Sequence, residues 1–186
     1  MRHRFHAVNI FLAAGLLLTA GLAIGAGEAR ADNPTSPAVS TIGKQVQRKL
    51  STLPWYGVFD NIQFQVNGST VTLSGQVLSE HSITKYDAQN DVERIPGVTK
   101  VINHIEVLPP SMFDNQIRRE EFRTIFSQSD LGRYTMGAIP QVHIIVKNGH
   151  VTLEGVVMNQ MDKTMAGIAA NTVPNVFSVT NNLRIG

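Results

Sequence analysis

A chain of 186 residues, 42% of them hydrophobic and 16% charged, has room for one medium domain or two small ones and too much apolar content to stay disordered. It contains no cysteine, which excludes a disulfide framework, a thiolate metal site, a thiol nucleophile and a lipid-modified N-terminal cysteine. The formal net charge of +2 sits in residues 1–31, where Arg2, Arg4 and Arg30 stand against Glu28, so the rest is near neutral and has no bulk field for nucleic acid or an anionic membrane.

The N-terminal segment pairs Arg2 and Arg4 with an apolar, glycine-interrupted run over residues 7–26, followed by Ala29-Arg30-Ala31. A basic start, an apolar middle and an A-x-A end predict a signal peptide over residues 1–31, cleaved before Asp32, and a periplasmic protein. Residues 32–39 are expected to be a disordered mature N-terminus. The alternative is an uncleaved N-terminal helix that anchors the chain, since the run is about long enough to span a bilayer.

The first predicted helix carries Ile42, Val46, Leu50 and Leu53 at three- and four-residue steps and stops at Pro54. Ile62, Phe64 and Val66 then alternate with Gln63 and Gln65, the period of a half-buried strand. Asn67-Gly68 turns the chain into a second strand with Val71, Leu73, Gly75 and Val77. Ala88, Val92 and Ile95 mark another helix, ended by Pro96-Gly97. Val101, Asn103, Ile105 and Val107 form a third strand.

After Leu108-Pro109-Pro110-Ser111 the same order returns. Ile117, Phe122, Ile125 and Phe126 mark a less regular helix. Val142, Ile144 and Val146 form a strand, Asn148-Gly149 a turn, and Val151, Leu153, Gly155 and Val157 its partner. Met161, Met165, Ile168 and Ala169 mark the fourth helix, and Val179, Asn181, Leu183 and Ile185 the last strand. Val71-Thr72-Leu73-Ser74-Gly75 is repeated as Val151-Thr152-Leu153-Glu154-Gly155, and Ile95-Pro96-Gly97-Val98 as Val173-Pro174-Asn175-Val176. This is a tandem duplication: a first domain over residues 40–108, a linker over 109–113 and a second domain over 114–186. The short, proline-stiffened linker restricts their relative orientation, and units this small are expected to gain stability by packing on each other.

The unit N-G-x-V-T-L-x-G, then P-G-V, then V-x-N-x-I resembles the BON domain of bacterial osmotically inducible periplasmic proteins and nodulation proteins. The resemblance covers essentially the whole mature chain. It rests on Gly68, Gly75, Gly97, Asn103, Gly149, Gly155, Asn175 and Asn181, with Asn175 standing where the family usually has glycine. It implies an α+β fold of two tandem αββαβ domains, each with two helices packed on a three-stranded mixed sheet. It also implies an envelope location and a non-catalytic role, with phospholipid surfaces or envelope proteins as partners and a link to osmotic and membrane stress.

The residues themselves offer little catalytic chemistry. His81, His104, His143 and His150 show no metal-ligand spacing, and His104 and His143 alternate with apolar strand positions, so both are expected to face outward. Ser74 lacks a nucleophile-elbow context. Asp87 and Asp91 read as a solvated helix face. No enzyme activity, cofactor, metal, nucleic acid or small-molecule substrate is expected. Gly75 and Gly155 are expected to permit close helix-to-sheet approach or a bulge.

Two features stand out as candidate contacts with lipid or a protein partner. Trp55, Tyr56 and Phe59 lie in the loop after the first helix, and they serve either such a surface or the core and the joint between the copies. Arg118, Arg119 and Arg123 lie on the second copy's first helix, either as a patch for anionic lipid or as pairs to Glu120 and Glu121. The leading expectation is an exported envelope protein with two BON domains that binds phospholipid surfaces and supports envelope integrity or the osmotic-stress response. The alternative is a periplasmic module for protein–protein interaction or chaperone-like binding.

Overall fold

A computed structural model describes residues 37–128, 130–137 and 139–186. The expected signal peptide, its cleavage site and residues 32–36 lie outside the described residues. Those from 37 onward belong to one compact unit.

Helix α1 (Pro37–Leu50) begins ahead of residue 40. Proline suits a first helical turn, where its missing N–H has no intrahelical partner to lose. Ile42, Val46 and Leu50 bury one stripe of α1, with Leu53 behind them. Strands β1 (Asn61–Asn67) and β2 (Thr70–Val77) pair antiparallel. A short 3-10 turn (Ser79–His81) leads into α2 (Ser82–Glu93), whose Ala88 and Val92 complete a core with Val71, Leu73 and Ile105.

The third strand is broken. Strands β3 (Lys100–Asn103) and β4 (Glu106–Val107) both run parallel to β2, separated by a step at His104. Asn103 makes the step: its carboxamide oxygen accepts from the Ile105 amide at 3.0 Å, and its nitrogen donates to the Lys85 carbonyl at 3.0 Å. One side chain thus turns the strand inward at Ile105 and ties it to α2.

The second domain follows the same plan. Helix α3 (Met112–Phe126) and a 3-10 turn (Gly132–Thr135) precede strands β5 (Val142–Lys147) and β6 (His150–Val157). Helix α4 (Gln160–Asn171) leads to β7 (Ser178–Asn181) and β8 (Arg184–Ile185), both parallel to β6. Asn181 repeats the work of Asn103, accepting from the Leu183 amide at 3.2 Å and donating to the Lys163 carbonyl at 2.7 Å. The fold is therefore α+β, two tandem αββαβ domains with mixed sheets.

Both hairpins close on two-residue loops despite their different lengths in sequence. Asn67 opposes Thr70 and Lys147 opposes His150. The Asn-Gly pair is simply shifted by one position. In the first hairpin Gly68 alone has positive φ, and in the second both Asn148 and Gly149 do, the requirement of a type I′ turn. Asn175 takes φ 67°, matching the positive φ of Gly97 at the equivalent turn. Gly75 and Gly155 mark a strand-to-strand contact rather than a helix-to-sheet one. A Cβ there would stand 2.0 Å from the carbonyl oxygen of Asn61 or Gln141.

The domains dock along β5. Its outward-facing Ile145 packs with Leu78 and Leu108, with Phe59 against them. The Val58 carbonyl accepts from the Ile144 amide at 2.7 Å, so the loop after α1 covers the free edge of β5. His143 does leave its own domain's core, but it does not reach solvent. The first domain buries it beneath the Tyr56 ring, with centroids 5.4 Å apart. His104 is exposed as expected.

Candidate functional site

The loop over residues 54–60 is organised by Asp60, a fully buried carboxylate. It accepts from the Gly57 amide at 3.0 Å and the Leu78 amide at 2.8 Å, and pairs with His81 Nδ1 at 2.9 Å. Three partners around one aspartate fix the loop so that Gly57 and Val58 present their carbonyls to β5. The Gly57 carbonyl lies 3.2 Å from His143 Nδ1. Burial lowers the His143 pKa, with Gly57 and Asp60 opposing the shift.

This loop divides its three aromatic residues. Tyr56 turns inward, accepts from the Ile62 amide at 3.2 Å, and has its phenol pKa raised by burial. Phe59 is half-buried at the junction, 6.2 Å centroid to centroid from Phe122 of α3. Trp55 is 71% exposed with φ 65°, a left-handed conformation unusual for a large aromatic residue, and stacks loosely on His81.

Helix α3 divides its arginines as well. Ser111 caps it by accepting from the Asp114 amide, and Asp114 in turn accepts from the amides of Asn148 and Gly149 at the hairpin. Arg118 is not available as a contact residue. It is 3% exposed, donates to Asn115 and to the Val146 carbonyl at 2.6 Å, and so covers a second edge group of β5. Burial lowers its pKa, opposed by the charges of Asp114, Glu80 and Asp60. Sequence reasoning placed it outside because an arginine on an amphipathic helix usually is.

Arg119 and Arg123 do face outward. Together with Phe122, Val58 and Phe59 they line a shallow cleft of about 220 Å³ where α3 meets the loop. Arg123 pairs with Glu120 at 3.2 Å, whereas Arg119 has no hydrogen-bond or ion-pair partner among the described residues. The arrangement sets an unpaired guanidinium beside an apolar floor, a surface suited to an anionic head attached to an apolar body. Phe122 is 38% exposed and extends the aromatic run to Phe126. In the sequence it falls with Ile117, Ile125 and Phe126 among the apolar positions that mark this helix, yet it lines the cleft.

Beneath this cleft helix lies Glu121, missed by sequence reasoning except as an ion-pair partner. It is fully buried, neither carboxyl oxygen has a partner among the described residues, and burial pushes its pKa up to about 8. Among the described residues no group of His, Asp and Glu is placed to hold a metal ion, and no helix is long and apolar enough to cross a membrane.

The comparisons with known proteins bear on the whole chain. Two solved structures of CdsD, a structural protein of the type III secretion system of Chlamydia trachomatis, are similar at 12% identity. One, of its C-terminal domain, has a TM-score of 0.31 and covers 77% of this chain and 96% of that one. The other has a TM-score of 0.30 and covers 78% and 93%. Neither likeness is close enough to carry a functional argument. Among curated proteins none matches the chain. The BON domain model matches residues 38–109 and 129–186. Its second match starts after α3, the helix in which Asp114, Arg118 and Glu121 replace a simple apolar stripe. BON domains are generally non-catalytic and mediate membrane or protein interactions. This chain, matched by that model over both of its repeats, belongs to the BON family.

Proposed function

We propose that this protein is an exported, non-catalytic module of the cell envelope that binds phospholipid surfaces through the cleft between α3 and the loop over residues 54–60, and that it supports envelope integrity under osmotic stress. The observation that carries this reading is the unpaired Arg119 beside exposed Phe122 and the apolar side chains of Val58 and Phe59. Arg123 adds a second positive charge, although Glu120 partly neutralises it. Exposed Trp55, on the same loop, adds an amphipathic ring of the kind that favours the headgroup region.

Each basic residue near an anionic surface contributes about 1 kcal/mol, so binding through this cleft is modest and salt-sensitive. Vesicle flotation with phosphatidylglycerol and phosphatidylcholine side by side tests it. The double variant Arg119→Glu, Arg123→Glu is expected to lose retention on the anionic vesicles at low salt while keeping its melting temperature. Retention equal to that of the parent protein would remove lipid from this cleft.

A second reading, binding of other polypeptides, is favoured by a different surface. Met158, Met161 and Ile168 expose an apolar strip on and beside α4, flanked by the uncharged Gln160 and Thr164. Flexible methionines suit surfaces that adapt to several partners. Met161→Glu with Ile168→Glu should leave vesicle retention intact and abolish any capture of envelope proteins.

A further inference from the structure

Apart from the α3 cleft, the described residues form a polar hollow of about 450 Å³ between the open faces of the two sheets. Gln76 of β2 lines it from the first domain. Thr152, Glu154 and His150 of β6 line it from the second, over Ile145, which the docking leaves almost fully buried. Its walls are held by contacts across the junction. Lys147 pairs with Glu106 at 2.5 Å and Glu154 accepts from Gln63 at 3.3 Å across it, while Glu154 also accepts from Asn182 of its own domain at 2.7 Å. The docking therefore supplies one wall of the hollow, at Gln76.

Its charged groups already have partners, whereas three of its uncharged side chains do not. The carboxamides of Gln76 and Asn148 and the hydroxyl of Thr152 have no hydrogen-bond partner among the described residues. His150 uses Nδ1 on Ser178 at 2.7 Å, leaving Nε2 available. A phosphate or nucleotide would need an unpaired cation, and Lys147 is paired. A metal ion would need several free carboxylate or imidazole ligands, and Glu154 is engaged at both oxygens. An apolar ligand would leave the amides and the hydroxyl buried without partners, at a cost of about 1–3 kcal/mol each.

What fits is an uncharged molecule that carries many hydroxyls. Carboxamides donate and accept on adjacent atoms and so bridge neighbouring hydroxyl groups. The volume is within the ordinary range for small-ligand sites, about 300–1,000 Å³. We infer that this interdomain hollow is a saccharide-binding site, taking one or two sugar rings of a neutral glycan. The inference is independent of the lipid reading, which concerns α3 and the loop after α1.

The test is amide-detected NMR on protein purified after expression of the full chain, titrated separately with maltose, with N,N′-diacetylchitobiose and with glycerol. Binding of either disaccharide in the millimolar range is expected, with shifts confined to Thr152, Gly149 and the side-chain amides of Gln76, Asn148 and Asn182. The double variant Gln76→Met, Thr152→Val keeps the volume and removes three polar groups, and should weaken binding roughly tenfold. Its spectrum away from the hollow, compared with that of the parent, reports that the fold is intact. The inference is overturned by an absence of shifts with both disaccharides, by shifts that persist undiminished in the double variant, or by glycerol reproducing them at equal concentration, which would mean an adventitious additive only.

Discussion

Glu121 should make the protein less stable as pH rises, and Glu121→Gln should remove that dependence. The carboxyl is fully buried without a partner, and its pKa moves from an ordinary 4.5 to about 8. The folded state thus holds its proton more tightly than the unfolded state does. Stability from this group is fully present below the unfolded value and is lost as pH rises through the folded one, so the window runs from about 4.5 to about 8. At about 1.4 kcal/mol per pH unit, the loss reaches about 3 kcal/mol at pH 7 and somewhat under 5 kcal/mol above pH 8. Glutamine has nearly the same shape and does not titrate, but it carries an amide whose burial without partners costs about 1–3 kcal/mol. The variant should therefore match or trail the parent at pH 5 and exceed it at pH 9. Urea midpoints at pH 5, 7 and 9 measure this, because every other titrating group cancels in the difference between the two proteins. A difference that stays constant across the three pH values would refute the reasoning, and would mean that the carboxyl finds a partner or solvent in solution.

His143 should behave in the opposite sense. Burial lowers its folded pKa below the ordinary 6.5, so its contribution is present above that value and is lost as pH falls through the window beneath it. Asp60 lies near it from the first domain and tempers the loss. The stability advantage of the parent over His143→Gln should shrink between pH 7 and pH 5; an advantage that grows on acidification would show that Asp60 outweighs burial. Asn181→Ala should cost about 1–3 kcal/mol by leaving the buried Leu183 amide unpaired and removing the tie to the Lys163 carbonyl of α4, and chemical denaturation reads that directly; a cost near zero would mean that the break between β7 and β8 is held by the ladder alone.

The fold was legible because each copy repeats the same local signals. Alternating Ile62, Phe64 and Val66, the stop at Pro96-Gly97 and the second copy's Val151 to Gly155 all state their geometry within a few residues. The break in each third strand was not legible, since an asparagine in an alternating run looks like any outward position. Only the helix carbonyl it reaches, at Lys85 or Lys163, distinguishes Asn103 and Asn181 from a surface residue. The candidate site was legible in part. Composition identified an aromatic loop and a basic helix, but which way each side chain points depends on tertiary contacts that local spacing does not state. Arg118 turned inward because the free edge of β5 offered it a carbonyl, and Tyr56 because the Ile62 amide did.

The docking itself leaves a mark in the sequence when the copies are aligned by register. Ile62 opposes Gly75 as Val142 opposes Gly155, so Gln63 and Gln65 of β1 correspond to His143 and Ile145 of β5. The inward positions stay apolar in both copies, whereas the outward ones change from exposed glutamines to buried histidine and isoleucine. The gripping side changes too: Asp60, which fixes the loop, corresponds to Pro140, and Leu78 corresponds to exposed Met158. The contact is therefore heterologous, with one face of the first domain on a different face of the second. A heterologous contact repeated between equivalent units would build an open array. Here the first domain lacks the apolar landing strip and the second lacks the aspartate-fixed loop, so the same contact cannot be made again at either end of the pair. The divergence of the two repeats is then a physical requirement of their pairing, and it fixes a single arrangement in which the α3 cleft and the polar hollow are each built from both domains.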